Sequence, residues 1–137
     1  MSGASRFQAE FLRFLELFNQ ELFWESHEVL EGAWRRNRSP FYQGLIIYAS
    51  AFVHAQRANP AGVVKQMAKA RTRLEPYRPH HLGLDVEEIL HQASRWTRLA
   101  QQALAGPGLS PLEPPPPFPR LSPDPGLIRG DEPELPP

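Results

Sequence analysis

The chain has 137 residues, room for one domain, and its 15 Lys and Arg are balanced by 15 Asp and Glu. The balance leaves no global charge to draw nucleic acid or an anionic membrane. The lack of cysteine removes disulfides, thiolate nucleophiles and cysteine-ligated zinc or iron–sulfur sites.

The N-terminal stretch MSGASRFQAEFLRFLELF is broken by Arg6, Glu10, Arg13 and Glu16, so it reads as neither a signal peptide nor a membrane span. A cytoplasmic location is the expectation. Phe7, Phe11, Phe14, Leu15 and Phe18 recur at helical spacing and predict a first helix over residues 5–19. The break after it is weak, because Gln20 and Glu21 are good helix formers.

A second helix is predicted over residues 22–36, with Leu22, Phe23, Val29, Leu30, Ala33 and Trp34 on its apolar face. Arg35, Arg36 and Arg38 gather at its end, where cations suit the helix dipole. Ser39-Pro40 is a cap followed by proline at the first helical position, and it starts a third helix running to about residue 58. That helix carries no Asp, Glu, Lys or Arg between Pro40 and Arg57, and its apolar residues point all around it, which marks the buried centre of the domain. Asn59-Pro60 repeats the start signal for a fourth helix to about residue 75. Pro76 and Pro79 force a loop, and Asp85 caps a fifth helix carrying Val86, Ile89, Leu90, Ala93, Trp96, Ala100 and Leu104.

No strand is predicted. Short connections favour antiparallel neighbours, so the fold expected is an all-α up-and-down bundle of about five helices over residues 5–104. Twelve of the sixteen prolines fall in residues 105–137. Such a segment cannot build a core of its own and is expected to be a disordered tail with polyproline II character.

Chemistry is hinted at in one place. The second helix packs Trp24, Glu25, His27, Glu28, Glu31 and Trp34 into three turns. Glu31 lies one turn on from His27, a spacing at which carboxylate and imidazole meet. On the third helix Gln43, Ile47, Ser50 and His54 share a stripe, so a buried helix presents a polar ladder. The ladder is expected to pair with the second helix, Gln43 or His54 bonding to Glu28, His27 or Glu31. A network of Trp24, Glu25, His27, Glu28, Glu31, Gln43, Ser50 and His54 would then fix helix register.

The competing reading makes His27, Glu28, Glu31 and His54 ligands of a divalent metal such as Zn, Fe or Mn, with Glu28 as general base of a hydrolase-like enzyme. No paired Glu-x-x-His and no His-Glu-x-x-His supports it. His80-His81 reads as a solvated loop pair, Ser26 as a packing residue, and Trp34 and Trp96 as core. A third reading, an RNA- or nucleotide-associated accessory domain, would use Lys65, Lys69, Arg71 and Arg73.

FNQELFWESHEVLEGAWR, then FYQGLIIYASAFVHAQRANPAGVVKQMAKARTRL and YRPHHLGLDVEEIL, resembles the bacterial and archaeal family called domain of unknown function 309, over about residues 15–90. Phe18, Asn19, Trp24, Glu25, His27, Glu28, Glu31, Trp34, Gln43, Gly44, Asn59, Pro60, Gly62, Gly83 and Asp85 match its pattern. Where members often carry glycine between the first two helices this chain has Gln20-Glu21, and a Gln of the family is Ile47 here. The resemblance implies a small all-helical domain with no assigned activity. The leading functional expectation is thus a non-enzymatic interaction or scaffold module, with a protein partner or a second copy of the chain as its ligand.

Overall fold

A computed structural model describes residues 8–106 and 117–132 of the chain. The described residues form α1 (Ala9–Asn19), α2 (Phe23–Asn37), α3 (Pro40–Gln56), α4 (Pro60–Leu74), a 3-10 turn (Glu75–Tyr77), β1 (His80–His81), β2 (Leu84–Asp85), α5 (Val86–Ala105) and a last 3-10 turn (Pro125–Leu127). The start predicted for the first helix, residues 5–7, lies outside the described residues.

Helix starts follow their caps. Ser39 Oγ accepts the Tyr42 amide at 3.2 Å, Asn59 Oδ1 the Gly62 amide at 3.2 Å, and Asp85 Oδ1 the Glu88 amide at 3.0 Å. Each satisfies a donor that the first helical turn leaves unpaired.

Helix ends are less ordinary. Glu21 closes α1 with φ 63°, its amide bonding to Phe18 O and the Leu22 amide to Leu17 O. This is a Schellman ending, usually built on glycine. Ala58 closes α3 in the same way with φ 54°, and Arg38 takes the left-handed conformation after α2. The helical break that Gln20-Glu21 left open is therefore a full stop.

Consecutive helices run antiparallel. Arg36 near the end of α2 pairs with Glu10 at the start of α1. Gln56 at the end of α3 donates to Glu21 O before α2, and Arg73 at the end of α4 reaches Gln43 near the start of α3. α3 packs on both α2 and α4, and ten of its residues are buried. Around it Phe18, Phe23, Tyr48, Phe52 and Trp96 meet edge to face, tilted or stacked, at centroid distances of 4.9–5.7 Å. Each such side chain contributes roughly 1.5–3 kcal/mol by leaving water.

Two features depart from the expectation. β1 and β2 form a two-residue antiparallel pair, His80 opposite Asp85, turned by Leu82 (φ 47°) and Gly83 (φ 78°). Residues 117–132 of the Pro-rich tail lie against the bundle. Phe118 stacks on Trp96 at 5.2 Å with 5° between the rings, and its edge meets Phe23 and Phe52. Leu121 is buried, the Asp124 amide donates to Gly83 O at 2.7 Å, and the buried Glu132 carboxylate accepts the Leu82 and Arg129 amides. A proline-rich segment cannot make a core, but it can be laid along one that helices have made. Residues 107–116 and 133–137 lie outside the described residues.

Candidate functional site

The outer side of α2 carries the acid and imidazole groups. The Trp24 indole stacks on the His27 ring at 5.2 Å and 18°, and the Arg57 guanidinium sits over the indole at 5.7 Å. His27 Nε2 lies 3.4 Å from Glu31 Oε2, and Glu31 Oε1 accepts from Arg35 at 2.7 Å. The i,i+4 pair expected from the spacing is formed. Trp24 remains 48% exposed, so only one face of α2 is packed. Leu22, expected on the apolar face, is exposed because it stands in the turn before the helix. Glu25 and Glu28 are exposed and form no ion pair among the described residues.

The polar ladder of α3 turns the other way. Gln43 accepts from Arg73 at 2.7 Å, and Ser50 accepts from Gln66 at 2.7 Å while donating to Ile47 O. His54 Nδ1 meets Asn59 Nδ2 at 3.0 Å. Its partners thus belong to α4 and the turn before it, and the expected bonds from Gln43 or His54 to Glu28, His27 or Glu31 are not made. The cause is the close approach of α4. A Cβ on Gly44 would come within 2.5 Å of Leu74, and one on Gly62 within 2.5 Å of the His54 ring. Two glycines let α4 sit where the ladder points.

The proposed metal ligands are therefore split, with His54 facing the α4 turn, Glu28 in solvent, and His27 with Glu31 on the surface of α2. Among the described residues no three His, Asp or Glu come together to hold a metal ion.

The remaining sequence candidates are accounted for singly. His81 is buried, not solvated, between Phe41 at 4.6 Å and Tyr77 at 4.8 Å, and burial pushes its pKa down. Ser26 is buried and donates to Phe23 O. Trp96 is core, while Trp34 is partly buried beneath Arg38. Lys65, Lys69 and Arg71 are exposed along α4.

One cavity was invisible in the sequence because residues 119–122 of the tail complete it. Its volume is about 290 Å³, and it is lined by Tyr48 of α3, Leu84 and Asp85 of β2, Glu88, Ile89 and Gln92 of α5, and residues 119–122. The Tyr48 hydroxyl is buried and has no hydrogen-bond partner; Gln92 Oε1 has none either. Burial, and then the Glu88 charge, push the Tyr48 pKa far up, so the hydroxyl keeps its proton. The available signal was Tyr48, one of two tyrosines on a helix without Asp, Glu, Lys or Arg.

No helix among the described residues is long and apolar enough to cross a membrane. A family model described as Domain of unknown function (DUF309) matches residues 11–66, from α1 to the middle of α4. The match contains the α2 cluster and the Asn59-Pro60-Ala61-Gly62 turn and stops short of Gly83 and Asp85. No curated protein and no solved structure matches the chain.

Proposed function

We propose that this chain, whose residues 11–66 match the model of a domain of unknown function (DUF309), is a non-enzymatic interaction module. Its docking surface is the outer face of α2, and its partner is a basic segment of another protein.

The observation that carries this reading is Trp24, a large aromatic held in place by His27 and Arg57 yet half in solvent. A pre-ordered indole loses little conformational freedom on binding, which is why tryptophan is enriched among the residues that dominate interfaces. Glu21 stands three residues before Trp24, Glu28 four residues after it and Glu25 next to it, and all three carboxylates are exposed. Carboxylates without an internal cation accept charge-assisted hydrogen bonds from arginine or lysine, and the indole edge covers the aliphatic stem.

The test is fluorescence anisotropy of a labelled peptide of alternating arginine and serine, titrated with the full chain at low and moderate salt. Saturable binding that weakens with salt, and is lost both in Trp24→Ala and in the Glu25→Lys, Glu28→Lys double variant, supports the reading. Trp24→Ala leaves the charge untouched, so undiminished binding by that variant would reduce the effect to nonspecific attraction and end the proposal.

A further inference from the structure

We propose that the strip of surface beneath residues 118–124 is a peptide-recognition site, occupied by the chain's own tail and able to take a segment of another protein in its place. The segment it fits is extended and carries a phenylalanine followed by an aliphatic residue three positions on. This strip is separate from the outer face of α2, and its ligand is apolar where that face takes a basic one.

Two side-chain anchors and a run of backbone bonds define the ligand. Phe118 lies flat on Trp96 at 5.2 Å, and its edge meets Phe23 at 5.1 Å and Phe52 at 5.8 Å. Leu121 is buried. Asn19 bonds both the carbonyl and the amide of Leu121, and Gly83 O accepts the Asp124 amide. The points of attachment, Phe118, Leu121 and Asp124, are three residues apart. That is the repeat at which an extended proline-rich chain returns the same edge to one surface. Backbone bonds of this kind hold an extended segment whatever its side chains, and the two anchors select among segments.

The walls are braced without the tail. Phe23 packs on Phe52 at 5.2 Å and Phe52 on Trp96 at 5.2 Å, so α2, α3 and α5 build the aromatic pocket by themselves. Gly83 leaves room for a backbone to pass, since a Cβ there would come 3.0 Å from Asp124 O. A pre-built surface loses little freedom when a segment enters. A tethered tail acts at an effective concentration of roughly a millimolar. It therefore shields the strip from weak ligands and yields to one that is better matched or abundant.

The probe is a fluorescein-labelled peptide of residues 117–124, PFPRLSPD, read by anisotropy against the full chain. The Phe118→Ala, Leu121→Ala double variant has lost its own anchors. It should bind the peptide saturably and about tenfold or more tighter than the wild type, whose tail competes. Adding Asn19→Ala should weaken that binding about fivefold, and a peptide carrying the two anchor substitutions should not bind. A second measurement needs no variant. Excess unlabelled peptide should displace the wild-type tail and speed hydrogen exchange at the Leu121 and Asp124 amides. Light scattering tests a second copy as the occupant, and the wild type should stay monomeric up to about 1 mM. A dimer abolished by the double variant would give the strip to another copy's tail and overturn the proposal. No binding by the folded double variant, equal binding by wild type and double variant, indifference to Asn19→Ala, or unchanged exchange would each overturn it as well.

Discussion

The side-chain amide of Asn19 clasps the backbone of Leu121 from both sides, its Nδ2 donating to Leu121 O at 2.8 Å and its Oδ1 accepting the Leu121 amide at 2.7 Å. One residue at the end of α1 thereby does for the tail what a neighbouring strand would do, and it sets Phe118 and Leu121 over the aromatic core. Asn19→Ala leaves both backbone groups unpaired in a half-buried place, at about 1–3 kcal/mol. Hydrogen exchange should speed up at the Leu121 and Asp124 amides while amides within α3 keep their protection. Unchanged exchange at Leu121 would mean that Phe118 packing alone holds the tail.

Glu21 occupies a position made for glycine. Its φ of 63° carries the steric cost of a Cβ in the left-handed region, and its carboxylate is exposed with no ion pair among the described residues to lose. Glu21→Gly should stabilise the chain by about 0.5–1 kcal/mol, the relief exceeding the added freedom of the unfolded chain. The check is a shift of the urea midpoint to higher concentration with an unchanged slope.

Gly44 is the opposite case, a helical glycine that alanine should not improve. Helix propensity would favour Gly44→Ala by about 1 kcal/mol. The new Cβ would lie 2.5 Å from Leu74 Cδ2 and 3.2 Å from Arg73 Cβ, and Leu74 is fully buried. Overpacking at about 1–3 kcal/mol wins, so the variant should be less stable by urea unfolding. A more stable Gly44→Ala would show that α3 and α4 can separate without cost.

What could be read from the sequence was what local chemistry decides. Ser39, Asn59 and Asp85 cap their helices because a cap needs only a side-chain oxygen and an amide three residues on. The His27–Glu31 pair was legible for the same reason, both partners being on one helix. The partner of the Gln43–Ser50–His54 ladder was not, because α3 has two neighbours and nothing local says which one the stripe faces. The choice rests on Gly44 and Gly62, whose missing side chains matter only once α4 is in place. The tail hid itself in another way. Composition spoke correctly against helix and strand, yet Phe118 and Leu121 needed only the surface of a core made elsewhere. The cavity, with Tyr48 on one wall and Arg120 on the other, joins residues too distant in sequence for any spacing to connect.

His81 should make stability sensitive to mild acid. Buried against Phe41 and Tyr77, it has its pKa lowered from 6.5 first by desolvation; nearby Glu132 and Asp131 oppose the shift and Arg129 assists it. With the folded pKa below the unfolded one, the unfolded chain binds more protons in the interval between them. Stability is therefore full above pH 6.5 and falls as the pH drops through 6.5 toward the folded value. His81→Phe keeps an aromatic ring between Phe41 and Tyr77 and removes the titration. Urea unfolding of both proteins from about pH 5 to pH 7.5 should show the wild type losing stability relative to the variant on the acid side, with the gap closing above neutrality. The other histidines and the Glu132 carboxylate are common to both, so the difference isolates the imidazole. Parallel curves would mean that His81 takes up its proton as readily inside the fold as outside it.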